Sequence, residues 1–154
     1  MNEKTSKVLE YNKILGMLEE GAASAITKKM LGELKPVFDI YLIQDMLAET
    51  TEAVSVIMHK GALPLGSFYD IRNSIHLADK GSTLTMKQLL EVLYNLRVTA
   101  NAASFLKSDL PELPIIKDLA ELLSIQKSLA DHIDHCIISE DEMADNASTE
   151  LKNI

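Results

Sequence analysis

Apolar residues recur every three or four positions along nearly the whole chain, and this spacing limits the fold more than any other feature of the sequence. The pattern is clearest in three segments, around residues 8–18, 40–58 and 86–103. Residues three and four apart share one face of an α-helix, whereas a half-buried strand would alternate apolar and polar residues. The chain is therefore predicted to be all-α, a multi-helix bundle with at most one short β-hairpin near residues 137–144.

Residues that favour helix ends stand where these periodic segments begin and stop. Asp39 is placed to cap the helix that follows it, and Gly61 is placed to end that helix in a left-handed conformation. Thr85 and Gln88 have the spacing of a capping box. The segment 8–18 is predicted to be one continuous helix. Shorter helices are predicted over residues 22–34, 70–80, 115–123 and 125–136.

Length and charge narrow the class of protein. A chain of 154 residues fits one domain, and its net charge of -8 without any cluster of lysines and arginines predicts weak binding to nucleic acid. The amino terminus is polar, no stretch is long enough to span a membrane, and one cysteine cannot form an internal disulfide. These features predict a cytoplasmic location and no membrane partner.

Two histidines and the cysteine fall within five positions of the sequence DHIDHC, where His132, His135 and Cys136 offer three types of zinc ligand. A structural zinc site needs four ligands, and the apolar spacing of Leu129, Ile133 and Cys136 favours a core position for the cysteine. We predict no metal there. The sequence also lacks a phosphate-binding loop, a nucleophile elbow and an HExxH helix, so no catalytic or cofactor-binding residue is predicted.

One loop stands out because it gathers aromatic residues in a chain with few of them. The stretch KGALPLGSFYDIRNSIHLADKG, residues 60–81, includes Phe68, Tyr69, Asp70 and Arg72. One interpretation is a helix start that is held by aromatic packing against the first turns. The other is that these four residues form a contact surface for another domain, and we carry them as candidate interdomain contacts.

Several stretches, in this order along the chain, resemble one known family. They are LEYNKILGMLEEGAAS, TTEAVSVI, LPLGSFYDIRNSIHLADKGSTLTMKQLLEV and DNASTELKNI. Together they are similar to the amino-terminal region of the bacterial MutS paralogue that carries an Smr domain, the anti-recombination endonuclease branch of the MutS family. The order DIR, ADKG and D-x-AS-x-x-L carries most of the resemblance, which covers essentially the whole chain.

The resemblance implies a domain division and a role. Residues 1–147 would be a helical core domain, and residues 148–154 would begin a lever helix that the chain does not complete. Asp145, Ser148 and Leu151 match the start of that lever. The family implies a parent that uses ATP and Mg and acts as an endonuclease on branched DNA or on stalled ribosomes. These residues would then be a non-catalytic framework that joins the levers to the ATPase.

Two expectations concern what this helical region contacts. An alternative function is an independent helical interaction module, with Phe68 and Tyr69 in its partner surface. If part of the core lies elsewhere in the parent, apolar faces of these helices stay uncovered, and such faces commonly become interfaces. A homodimer through apolar helix faces is therefore predicted as a partner, beside the other domains of the parent.

Overall fold

The computed structural model describes residues 3–107 and 110–148, and within them the chain is all-α. The helices are α1 (Glu3–Val8), α2 (Tyr11–Gly21), α3 (Ala25–Gly32), α4 (Ile40–Lys60), α5 (Arg72–Asp79), α6 (Met86–Leu106), α7 (Pro114–Glu121) and α8 (Lys127–Cys136). The extended pairing in the described part of the chain is a single antiparallel bridge between Ile137 and Met143. The predicted fold class is confirmed, and the predicted hairpin is reduced to this one bridge.

The predicted helix ends are largely confirmed. Asp39 accepts hydrogen bonds from the amides of Tyr41 and Leu42, and Gly61 closes α4 with a φ of 80°. Both halves of the capping box between Thr85 and Gln88 are formed at the start of α6. Each of these signals acts within a few residues of the chain, so the sequence alone defines it.

The prediction of one continuous helix over residues 8–18 is wrong. The chain breaks between α1 and α2, where Glu10 takes a left-handed conformation with a φ of 51°. Tyr11 begins the new helix, and its hydroxyl donates to the carbonyl of Leu34 beyond α3 at 3.3 Å. The break separates α1 from α2, which packs against α3, and the apolar spacing alone does not report it.

Helices α6 and α8 form the main core. Leu93 of α6 packs with Ile133 of α8 and with Ile137 just after it, and Cys136 lies against the same cluster. An ion pair between Arg97 and Asp134 joins the two helices at their exposed edge with a distance of 2.7 Å. Burial of these apolar side chains, rather than the exposed ion pair, stabilises the contact.

Helix α4 is joined to this core through its carboxyl-terminal half. Val56 is fully buried, and the carboxylate of Glu52 accepts from the amide of Ile116 in the first turn of α7 at 2.8 Å. That amide has no partner within its own helix, so Glu52 supplies the missing cap. Lys60 donates to the carbonyl of Phe105 at the end of α6 and lies 4.5 Å from the centre of its ring.

Much of the chain's apolar surface stays exposed. The chain has 11,587 Å² of accessible surface, whereas a compact monomer of 17.0 kDa exposes about 7,700 Å². Part of this exposed apolar surface lies on α2 and α4, where Met17, Ile40 and Leu47 are more than half exposed. These helices present unpaired apolar faces.

Candidate functional site

Phe68, Tyr69 and Asp70 lie on an extended segment that links α4 to α5 and runs along α6, whereas Arg72 is the first residue of α5. Asn95 of α6 holds this segment with two hydrogen bonds to the backbone of Tyr69: its Nδ2 donates to the carbonyl at 2.9 Å, and its Oδ1 accepts from the amide at 3.0 Å. Asn95 is buried, so both of its polar atoms need these partners. The segment is therefore fixed to α6 at Tyr69.

The ring of Tyr69 packs edge-on against the ring of Tyr94. Their centres are 5.2 Å apart and their planes meet at 83°, a geometry that aromatic quadrupoles favour. Gly66 lies beneath the hydroxyl of Tyr94, and a Cβ atom at Gly66 would collide with that oxygen. The close approach explains why a glycine occupies this position.

The tyrosine pair borders a shallow polar cleft. Its volume is about 390 Å³, and it is also lined by Lys87 and Glu91 of α6 and by Glu140 of the turn after α8. Lys87 and Glu140 form an ion pair at 3.5 Å across this cleft. The acidic turn is thereby brought beside the loop that holds Tyr69, although the two are far apart in sequence.

Asp70 and Arg72 pair with each other at the surface. The guanidinium donates to both carboxylate oxygens, with Nε 2.7 Å from Oδ1, and the amide of Arg72 donates to Oδ1 at 3.3 Å. The pKa of Asp70 is lowered to about 2. The largest cause is the side-chain hydrogen bonding from Arg72, and the next largest is the hydrogen bond from the backbone amide of Arg72. The same pairing raises the pKa of Arg72. The pair is exposed, so it offers a preformed charged surface more than stability.

Phe68 points the other way, into an apolar cavity of about 570 Å³ between α4, α6 and α7. Val56, Leu106 and Ile116 line it together with Leu119 and Leu123. The four candidate residues therefore do not form one surface: Phe68 faces the apolar cavity, whereas Asp70 and Arg72 face solvent. Tyr69 packs on Tyr94 of α6. An interdomain role for the four remains a prediction.

Asn95 and Tyr94, the two residues that hold this segment, were not predicted from the sequence. A usable signal was present, because Asn95 falls at helical spacing from Val98 and Ala102 on one face of α6, all three of them buried. A polar residue at such a position needs a specific partner. Its partner lies 26 positions away, and helical spacing does not identify it.

His132 and His135 are exposed on α8, while Cys136 is partly buried and its thiol donates to the carbonyl of Ala147 at 3.7 Å. Over residues 3–107 and 110–148, no group of three histidine, cysteine, aspartate or glutamate side chains is arranged to hold a metal ion. The prediction that no metal binds here stays a prediction. The core position expected for Cys136 agrees with its packing against Leu93 and Ile137.

The predicted lever start lies at the end of the described residues. Asp145 and Ser148 are exposed in a turn after the bridge, in which the amide of Ala147 donates to the carbonyl of Ala144 at 2.9 Å. Leu151 lies outside the described residues. The division into a core over residues 1–147 and a lever start over 148–154 remains a prediction.

None of the helices described in the structure is long and apolar enough to cross a membrane. The fold and the candidate site define a helical structural region with a fixed surface segment. No family model matches the chain.

The whole chain is, however, similar to curated relatives. It is 42% identical to "Endonuclease MutS2" of Alkaliphilus oremlandii, 40% identical to that of Ruminiclostridium cellulolyticum and 38% identical to that of Clostridioides difficile. Each match covers 100% of this chain, and the chain spans 20% of the length of each relative. The resemblance to the MutS paralogue is confirmed: over its full length the chain matches the amino-terminal fifth of these relatives.

Proposed function

We propose that this chain is the helical framework of a larger MutS-type protein, and that it connects lever helices to an ATPase carried by other domains. The observation that carries the proposal is the match over the whole chain to a fifth of the length of proteins named "Endonuclease MutS2". The rest of each relative provides ample length for further domains. ATP, Mg and endonuclease activity are assigned to those domains by the family resemblance.

The chemistry of the chain supports a mechanical rather than a catalytic role. Its net charge is -8, whereas tight binding of phosphates needs several lysines or arginines on one face. The described site consists of structural contacts: a buried amide on a backbone, a packed tyrosine pair and a surface ion pair. Such contacts hold elements at fixed positions, which is what a connecting domain requires.

Within this framework we assign the segment around Tyr69 to interdomain contact. Asn95 and Tyr94 fix the backbone of the segment, while Asp70 and Arg72 stay at the surface as a preformed ion pair. A rigid segment loses little entropy when it binds.

We also assign residues from Ser148 onward to the start of a lever helix, and we assign the parent protein to the cytoplasm. The target of the parent protein would be branched DNA or a stalled ribosome.

The test uses the complete polypeptide that the gene encodes. We expect it to hydrolyse ATP and to do so faster with branched DNA or with ribosomes. Asn95→Ala, which frees the segment at Tyr69, should reduce that stimulation several-fold and leave the basal rate unchanged. Asn101→Ala, at an exposed position on the same helix, is the control. Equal stimulation in both variants would contradict a connecting role for this segment.

A second candidate function is an independent helical interaction module. The observation that favours it is the exposed apolar surface of α2 and α4. A gene that encodes only these residues would support this alternative and refute the framework proposal.

A further inference from the structure

The polar cleft beside the tyrosine pair combines aromatic rings with charged side chains, and we call it the tyrosine cleft. It is lined by four residues of α6 and by one residue each from the loop before α5 and the turn after α8: Lys87, Leu90, Glu91, Tyr94, Tyr69 and Glu140. The four residues of α6 share one face of the helix, because they are three and four positions apart. Three separate parts of the chain therefore meet at this cleft.

Two tyrosine rings form the aromatic part of the tyrosine cleft. The rings of Tyr69 and Tyr94 meet edge to face at 83°, and the two residues are still 45% and 38% exposed. The negative π face of such a ring attracts a cation, and a planar guanidinium can stack on it. Asn95 fixes the backbone of Tyr69, so the aromatic surface is in place before a ligand binds.

The charge of the tyrosine cleft is net negative. Two carboxylates and one ammonium group line it, and that ammonium, on Lys87, is paired with Glu140 at 3.5 Å. Within residues 3–107 and 110–148, no lysine or arginine forms an ion pair with the carboxylate of Glu91. Glu91 is half-buried, and an ion pair at such a position is screened less than at an exposed one. The cleft therefore favours a cation.

The turn after α8 extends this negative charge beyond the cleft. Glu140, Asp141 and Glu142 follow one another there, and all three are exposed. Because Glu140 lines the cleft, its two neighbours lie close to it as well. A cluster of like charges attracts a basic segment before contact and repels an anion. A phosphate-bearing ligand is thus a poor match for this site.

We propose that the tyrosine cleft binds an arginine side chain of a partner polypeptide. The guanidinium stacks on a tyrosine ring and donates hydrogen bonds to the carboxylate of Glu91. Arginine suits both groups, because its planar fork pairs with a carboxylate while its flat face stacks on an aromatic ring.

The arginine has to come from a different polypeptide segment. The chain has two arginines, and each is already paired with a carboxylate: Arg72 with Asp70 and Arg97 with Asp134. Neither these residues nor a second copy of them supplies an unpaired guanidinium. The proposal goes beyond the framework function and does not rest on it, since it concerns the side chain that is bound and not the domain that supplies it.

Tyrosine ring signals in NMR spectra test the site, because Tyr69 and Tyr94 line the cleft whereas Tyr11 and Tyr41 lie on α2 and α4. The probe is the blocked peptide acetyl-Ala-Arg-Ala-amide, added to the 154-residue chain with isotope-labelled tyrosines. We expect the signals of Tyr69 and Tyr94 to shift with a dissociation constant on the order of 10 mM, as one surface cation–π contact and one ion pair would give. Those of Tyr11 and Tyr41 should stay in place. No shift, or equal shifts of all the tyrosines, would overturn the proposal.

Two substitutions separate the carboxylate from the aromatic ring. Glu91→Gln should weaken binding at least about threefold, whereas Glu49→Gln, the same charge change at an exposed position of α4, should leave it unchanged. Tyr69→Leu removes one ring but keeps the backbone hydrogen bonds from Asn95, and it should also weaken binding at least about threefold. Equal affinity in the two glutamine variants would contradict the proposed contact with Glu91. Circular dichroism establishes that each variant keeps its helices.

The peptide acetyl-Ala-Lys-Ala-amide tests whether the site selects a guanidinium. It has the same charge but lacks the planar fork, so we expect it to bind at least about threefold more weakly. Equal affinity for the two peptides would refute an arginine site and indicate general attraction of cations to an acidic surface.

Discussion

Asn95 and Tyr69 form a closed pair in which one side-chain amide satisfies both backbone groups of the other residue, at 2.9 and 3.0 Å. The pair fixes an extended segment to α6 in the same way that one strand holds its neighbour. Because Asn95 is buried, loss of its side chain leaves polar backbone groups of Tyr69 without a partner.

Asn95→Ala should lower the free energy of unfolding by roughly 1.5–3 kcal/mol, the cost of two lost hydrogen bonds at a buried site. Urea denaturation measures this change. Amide hydrogen exchange should also become faster at Tyr69. Asn101→Ala, at an exposed position in the same helix, should change the stability by less than about 0.5 kcal/mol. Unchanged stability and exchange in Asn95→Ala would show that the pair does not hold the segment.

Gly66→Ala should be destabilising because the added methyl meets the hydroxyl of Tyr94. We expect a loss of about 1–2 kcal/mol from this overpacking. Tyr94→Phe removes the oxygen, so the double variant should recover most of that loss, and the four proteins form a double-mutant cycle.

Gly16→Ala is the control for the Gly66→Ala substitution. Gly16 lies within α2 with nothing near its Cβ position. Alanine there should stabilise the chain by roughly 0.5–1 kcal/mol through helix propensity. Additive effects of Gly66→Ala and Tyr94→Phe would contradict the proposed contact.

Asp70 should titrate far below other carboxyl groups because Arg72 donates to it through its side chain and its amide. The pKa of about 2 is lower than the unfolded value of about 3.9. The contribution of Asp70 to stability is therefore present above about pH 4 and is lost as the pH falls toward 2.

Carboxyl NMR shifts recorded during an acid titration report this pKa directly. In Arg72→Gln the pKa of Asp70 should rise toward its ordinary value. Arg97→Gln, which breaks the ion pair with Asp134 instead, should leave Asp70 unchanged. A normal pKa for Asp70 in the unaltered chain would show that the ion pair does not persist in solution.

The chain should hold no stoichiometric metal, because the histidines of α8 are exposed and Cys136 packs into the core. Elemental analysis of protein purified without chelator checks this expectation. One tightly bound zinc per chain, absent from His132→Ala, would contradict it.

Helix ends were predictable where the signal and its effect are neighbours in the chain. Asp39 bonds to amides two and three residues away, and Thr85 with Gln88 acts across three. Contacts made by distant partners were not predictable. Glu52 caps a helix 64 positions away, and apolar periodicity does not register such an acceptor.

The break before α2 and the directions of Phe68 and Tyr69 show the same limit of prediction from sequence. Val8, Leu9 and Tyr11 continue an acceptable helical pattern, and no glycine or proline marks the left-handed residue at Glu10. For the loop, composition identified Phe68 and Tyr69 as unusual. Their opposite directions depend on Asn95 and on the cavity between three helices, which only the assembled fold defines.

The central claim is that these residues form a non-catalytic framework within a MutS-type protein. The most direct measurement compares ATP hydrolysis, with and without branched DNA, by the 154-residue chain and by the complete polypeptide that its gene encodes. We predict hydrolysis by the complete polypeptide, and from the chain alone neither hydrolysis nor submicromolar binding of duplex DNA at physiological salt. ATP hydrolysis by the chain alone, or a gene that ends at Ile154, would contradict the claim.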